Sequence, residues 1–251
     1  MEVYKMKLAI REHILGTIPL LEVIPEDKIG EKLPLIIYYH GWQSQKELTL
    51  TQGRYLARAG FRVLLPDAFN HGERRNPMTD IPSLTFWQSI HTNLFEFGYL
   101  VNAMKKKGLV EDQIGVGGVS MGGMTTAALL THHPEIKAAA CVMGTPKLVA
   151  YRERIFKHAS QMDRFFPEDY NHLLSWIPEY DLSLNTDKIA GRPLLFWHGT
   201  KDVVVPYDHV VEFIEENKDK DNIQFIDEDE EHLVKPETMA KITHFFVEAM
   251  L

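Results

Sequence analysis

The chain has 251 residues, of which 45% are hydrophobic and 25% charged, and its formal net charge is −8. That length suits one large α/β domain or two small ones. The single cysteine, Cys141, excludes an internal disulfide and fits a reducing compartment, so a cytoplasmic location is expected. The opening MEVYKMKLAIREH has no apolar h-region, no apolar run reaches membrane length, and no basic cluster exceeds Lys105-Lys106-Lys107. A secretory signal, a membrane span and a nucleic-acid partner are therefore not expected.

The alternating residues 3–11 predict an edge strand, and 18–24 a second strand closed by Pro25-Glu26-Asp27. Residues 35–39 form a short apolar run before His40-Gly41, the pattern of a buried strand. Helical spacing over 48–59 stops at Gly60, a C-terminal signal. A strand at 61–65 follows, then a long helical pattern over 83–107, a strand at 114–118 and a helix at 120–131. Strands at 138–143 and 193–197, a helix at 207–217, a strand at 223–226 and a helix at 236–250 complete the series. Apolar strands alternating with helices predict a mostly parallel sheet covered on both faces. The first two strands lack a helix between them and predict an antiparallel edge. Residues 146–190 carry Phe156, Phe165, Phe166, Tyr170, Trp176 and Tyr180 without a strand pattern. They predict a helical cap inserted over the C-terminal edge of the sheet.

One stretch, GVGGVSMGGMTT at 115–126, places five glycines around Ser120. A dinucleotide fingerprint would put a third glycine where Ser120 stands, and a phosphate-binding loop would need lysine where Met124 stands. Gly118-Val119-Ser120-Met121-Gly122 fits G-x-S-x-G completely, between an apolar strand and a helix. In that turn a serine sits at the tip of a sharp bend, and glycines two residues to either side remove collisions. A helix N-terminus there points free N–H groups toward developing negative charge.

A serine hydroxyl needs a base, and the base an orienting acid. In folds of this type the chain order is Ser, acid, His. Asp202 stands just past the strand PLLFWHG, and His232 follows the last strand through DEDEEHLVKPE. All three positions follow strands and so converge on one sheet edge. Asp208, His132, His133, His198 and His209 fit helix or loop structure better, His244 reads as a histidine packed among the apolar residues of its helix, and Cys141 in AAACVMG fits the core. No H-E-x-x-H or cysteine pair suggests a metal. The backbone N–H groups of Met121 and of Trp42, in YYHGWQSQ, are the expected oxyanion donors.

With those residues in place, the chain resembles the α/β-hydrolases over nearly its whole length. LIIYYHGW, VLLPDAFNHGER, VGGVSMGGMTT and LLFWHGTKDVVVP are similar to the small bacterial YjfP-type carboxylesterases and their dienelactone-hydrolase and prolyl-oligopeptidase-like relatives. The resemblance implies one domain with an eight-stranded, mostly parallel sheet and a Ser120–Asp202–His232 triad. It also implies no cofactor and a small-molecule ester substrate with a short acyl chain. The chain departs from its relatives in the acidic run 227–231 before His232, where they often place a glycine and fewer charges. Folded against His232, that run would favour the charged imidazole and delay the active neutral base to more alkaline pH; a solvated, screened acidic loop is the plain alternative. Phe165, Phe166 and Trp176 are candidate walls of the acyl pocket. A thioesterase or small peptidase would use the same residues, and a non-catalytic binding protein would need none of them.

Overall fold

The computed structural model describes residues 6–76, 82–162 and 164–251. Eight strands form one sheet in the order β1-β2-β4-β3-β5-β6-β7-β8. They are β1 (Leu8–Leu15), β2 (Ile18–Pro25), β3 (Leu33–Tyr39), β4 (Arg62–Pro66), β5 (Val110–Val119), β6 (Ile136–Val142), β7 (Leu194–Gly199) and β8 (Ile223–Glu228). Pairing is parallel from β4 through β3 to β8, whereas β2 runs antiparallel to both β1 and β4. The predicted antiparallel edge is therefore present. The first strand lies later than the 3–11 alternation suggests, because its register is fixed against β2 from Leu8↔Pro25 to Leu15↔Ile18. Residues 3–5 of that expectation lie outside the described residues.

The central strands read as continuous apolar runs because both of their faces are covered. Alternate residues go to opposite sides. Leu35, Ile37, Val116, Cys141 and Phe196 join the core beneath α2 (Pro82–Lys106), α3 (Met121–Leu129) and α7 (Tyr207–Glu216). Ile36, Tyr38, Ala140, Leu195 and Trp197 join the core beneath α1 (Leu50–Arg58) and α8 (Pro236–Met250). β3 begins two residues before the predicted run. It includes Pro34, where its register against β5 shifts between Leu33 and Leu35, as expected for a residue without an N–H.

Between β6 and β7 the chain forms α4 (Leu148–Gln161), α5 (Tyr170–Leu173) and α6 (Ile177–Tyr180). The buried Asp181 carboxylate holds this segment together. It accepts the Val149 N–H at 2.7 Å, at the start of α4, and the Ser183 N–H at 2.9 Å. A carboxylate there satisfies a free helical donor and complements the helix dipole. Tyr151 packs on Phe86 and Trp87, and Trp176 on Trp87 and His91, so the segment sits on the first turns of α2.

The loops that follow β3, β5, β7 and β8 leave the sheet at its C-terminal edge, where open parallel sheets carry their sites. They bring Trp42, Ser120, Asp202 and His232 to that edge.

Candidate functional site

Ser120 stands between β5 and α3 with φ 55° and ψ −115°, a backbone conformation that costs energy for any residue with a side chain. The surrounding glycines allow it. A Cβ on Gly118 would lie 2.5 Å from the Gly122 carbonyl, and a Cβ on Gly122 would lie 2.2 Å from the Tyr39 oxygen. Backbone atoms cannot yield to such contacts. The Ser120 N–H donates to the Val142 oxygen at 2.8 Å, and the Ser120 oxygen accepts the Met124 N–H at 3.0 Å. The bend is thereby tied to β6 on one side and to the first turn of α3 on the other.

A continuous hydrogen-bonded path starts at this serine. His232 Nε2 lies 2.9 Å from Ser120 Oγ, and His232 Nδ1 lies 2.6 Å from Asp202 Oδ2. Beside a carboxylate, Nδ1 carries the proton, which leaves the Nε2 lone pair to accept the serine hydroxyl. Asp202 Oδ1 accepts the N–H groups of Val204 at 2.8 Å and Val205 at 3.0 Å. Burial pushes the Asp202 carboxyl up, but hydrogen bonds from His198, His232 and Val205 outweigh it and hold the group well below the usual carboxylate range. Asp202 therefore remains a charged acceptor at neutral pH.

Gly199 brings the histidine loop to the acid. A Cβ there would lie 2.3 Å from the Glu230 oxygen. The bare backbone instead lets residues 228–231 cross β7, with the Thr200 N–H donating to the Glu228 oxygen at 2.8 Å and the Lys201 N–H to the Glu230 oxygen at 3.0 Å. The acidic run is largely engaged elsewhere. Asp227 accepts from the Tyr207 hydroxyl, Glu228 from Trp197, Thr238 and Lys241, Asp229 from Lys201 and Glu230 from Lys235.

Both expected oxyanion donors border the serine. Met121 is the first residue of α3, so its N–H has no intrahelical acceptor. A Cβ on Gly41, the residue before Trp42, would lie 3.5 Å from Ser120 Cβ. Among the described residues, neither N–H donates to another backbone group outside its own element.

The three candidate pocket aromatics are spread through the inserted segment. Phe165 is exposed, Phe166 packs between Phe156 and Tyr170 at 4.8 and 4.6 Å, and Trp176 stacks on His91 at 4.4 Å. A cavity of about 880 Å³ lies between α4 and the loop after Asp202, lined in part by Tyr151, Arg154, Val203, Val204 and His209. Tyr151 is mostly buried, and desolvation pushes its phenol up to about 12. It stays a neutral hydrogen-bond donor.

Several residues do more than sequence reasoning assigned to them. His198 is fully buried, and its Nε2 lies 3.0 Å from the Val205 oxygen and 3.2 Å from Asp202 Oδ2. It shapes the loop, as its strand-end place suggests, and it also touches the acid. His40 is buried, donates from Nδ1 to the Gly41 oxygen at 2.8 Å and accepts the Ala68 N–H at Nε2 at 3.0 Å. Burial lowers its pKa to about 4. His244 faces solvent beside Glu248 rather than packing in the core. The Cys141 thiol is fully buried, and desolvation pushes its pKa up, which makes it a core residue without nucleophilic character. Among the described residues no cluster of three or more His, Cys, Asp or Glu could hold a metal ion, and no helix is long and apolar enough to cross a membrane.

Comparison with known proteins places the fold and the family. The profile of the prolyl oligopeptidase family matches residues 96–250. YitV of Bacillus subtilis (strain 168) is 36% identical, covering 95% of this chain and 98% of its own. Esterase YjfP of Escherichia coli (strain K12) is 31% identical, covering 80% and 81% respectively. TT1662 from Thermus thermophilus shares the fold with a TM-score of 0.73 at 20% identity, covering 97% of this chain and 100% of its own. The Pyrococcus furiosus esterase Pf2001 does so with a TM-score of 0.69 at 21% identity, covering 98% and 94%. The eight-stranded sheet is that of an α/β-hydrolase, and the chain belongs to the prolyl oligopeptidase family.

Proposed function

We propose that the protein is a serine hydrolase of carboxylic esters. Ser120 is the nucleophile, His232 the general base and acid, and Asp202 the group that orients His232. The observation that supports this most is the unbroken path from Ser120 Oγ through His232 to Asp202, at 2.9 and 2.6 Å. The name of YjfP points to esters.

In the reaction, His232 Nε2 takes the hydroxyl proton as Ser120 Oγ bonds to the ester carbonyl carbon. The carbonyl electron pair moves onto oxygen, and the N–H groups of Trp42 and Met121 hold that oxyanion. The tetrahedral centre collapses, His232 protonates the departing alcohol, and an acyl-enzyme remains. Water repeats the sequence and releases the acid. Asp202 holds the Nδ1–H tautomer throughout and stabilises the imidazolium. The cycle needs no cofactor.

Residues 146–190 form a cap within a single hydrolase domain, and Phe165, Phe166 and Trp176 belong to its acyl-binding wall. The cavity beside Tyr151 and Val203, whose lining includes none of these three aromatics, is a separate recess for the distal part of a small ester in this reading. The single cysteine fits a cytoplasmic setting. A small peptidase is the second reading, favoured by the family match.

The test is hydrolysis of a p-nitrophenyl ester series from acetate upward, alongside matching amides, with wild type and Ser120→Ala. Ester cleavage should fall by about 10⁴-fold or more in the variant. Survival of activity in Ser120→Ala would overturn the assignment. Wild-type preference for the amides would favour the peptidase. Deleting the cap should change chain-length preference more than it changes the chemistry, read from the same series.

A further inference from the structure

The loop after β3 carries Trp42, yet its shape depends on a residue 28 positions away. Gln43 has φ 56°, a left-handed conformation that needs support in a residue with a side chain. Its N–H donates to His71 Nε2 at 3.0 Å. His71 is buried, and its Nδ1–H donates to the Phe69 oxygen at 2.8 Å. With Nδ1 protonated, Nε2 offers the lone pair that the Gln43 N–H requires. The Trp42 indole meets the His71 ring edge-on at 4.9 Å, and Phe86 closes its other side at 5.4 Å. The imidazole therefore holds the residue after the Trp42 peptide and also packs against the Trp42 side chain.

We infer that His71 is a positioning residue for the oxyanion loop: as a neutral imidazole it fixes the Trp42 N–H toward the carbonyl oxygen of an ester bound at Ser120. The inference rests on the proposed roles of Ser120 and Trp42. His71 does not itself reach the reacting atoms. The charged and titratable groups that face it are Asp67 and Arg75 from its own loop and the His40 ring at 5.2 Å. Burial, the leading influence, lowers its pKa, which keeps the lone pair available at neutral pH. Neighbouring contacts fix the same loop. Lys46 N–H donates to Asp67 Oδ1 at 2.9 Å and Lys46 Nζ to Asp67 Oδ2 at 3.0 Å. These bonds tie the end of the loop to the segment that carries His71, so a change at His71 acts locally.

Two variants separate positioning from mere structure. In His71→Asn the side-chain amide can still meet the Phe69 oxygen but is too short to accept the Gln43 N–H. In His71→Gln the longer side chain brings a carbonyl oxygen to the Nε2 position. Removing an oxyanion donor outright costs about 10²- to 10³-fold, so misplacing one should cost about 10- to 100-fold in kcat. His71→Asn should show that loss with KM unchanged, and a trifluoromethyl ketone, which mimics the oxyanion, should bind more weakly by a similar factor. His71→Gln should stay within about threefold of wild type in all three readouts. His71→Asn with wild-type kcat, a loss expressed in KM, or equal losses in both variants would overturn the inference. Ser120→Ala run in parallel distinguishes the failures. Activity surviving in Ser120→Ala removes the underlying reading, whereas a dead Ser120→Ala beside an unaffected His71→Asn removes only this one.

Discussion

Two clusters of buried charge lie at opposite ends of the sheet, and they do different things. At the N-terminal end of β4, the fully buried Arg62 pairs with the Glu22 carboxylate and donates to the backbone oxygens of Leu109, Ile29 and Glu31 at 3.1, 2.9 and 3.0 Å. Glu22 also meets His13 at 2.9 Å. Arg11, at 3.7 Å from the same carboxylate, and His13 carry that cluster out toward solvent, but every one of its bonds ends on a charged group or on the backbone. At the C-terminal edge, the Asp202 side chain is equally buried, but its chain of bonds ends on a serine hydroxyl. Burial of charge therefore does not mark the site by itself. The mark is a buried charge whose hydrogen-bond path opens onto a reactive group.

Substitutions can break that contrast. The largest effect after Ser120→Ala is expected for Asp202→Asn. The amide oxygen still accepts from Val204 and Val205, so the fold survives, but the imidazole loses its orienting charge. A fall in kcat of about 10⁴-fold with a nearly unchanged melting temperature is expected, and steady-state kinetics with calorimetry would check both. Arg62→Met should do the reverse. It leaves the buried Glu22 with only the more exposed Arg11 and His13 beside it, and the lost pair should cost up to about 3 kcal/mol in stability, seen as a lower urea midpoint. Specific activity of the folded fraction should be unchanged.

A smaller effect concerns acid. The His40 pKa of about 4 in the folded protein lies below the ordinary value of about 6.5. Between those values the unfolded chain binds the extra proton. This contribution to stability is complete above pH ~6.5 and is lost as pH falls toward ~4. The drop in urea midpoint from pH 7 to pH 4.5 should be smaller in His40→Gln than in wild type. Equal drops would show that His40 does not carry this dependence.

Much of this architecture is legible in the sequence. The doubly covered strands announce themselves as apolar runs such as LIIYY and LLFW, and the G-x-S-x-G turn marks Ser120 because only bare backbone fits there. Strand edges are less legible. β5 starts at Val110, four residues before the apolar run, because Glu111 and Asp112 point to solvent. The support of the site is hardest to read. His71, His40 and Asp67 act mainly on backbone N–H groups 21 to 28 residues away, and a backbone partner leaves no pattern in residue type. His198-Gly199 reads as a strand end, although one residue touches the acid and the other makes room for the histidine loop.

The most direct test of the central claim is covalent trapping. The wild-type protein would be treated with an alkyl fluorophosphonate and analysed by intact mass and peptide mapping, alongside Ser120→Ala and Asp202→Asn. A single adduct on Ser120, absent from Ser120→Ala and formed far more slowly in Asp202→Asn, is the expected result. An adduct on another residue, or ester hydrolysis that continues undiminished with Ser120 fully blocked, would contradict the account.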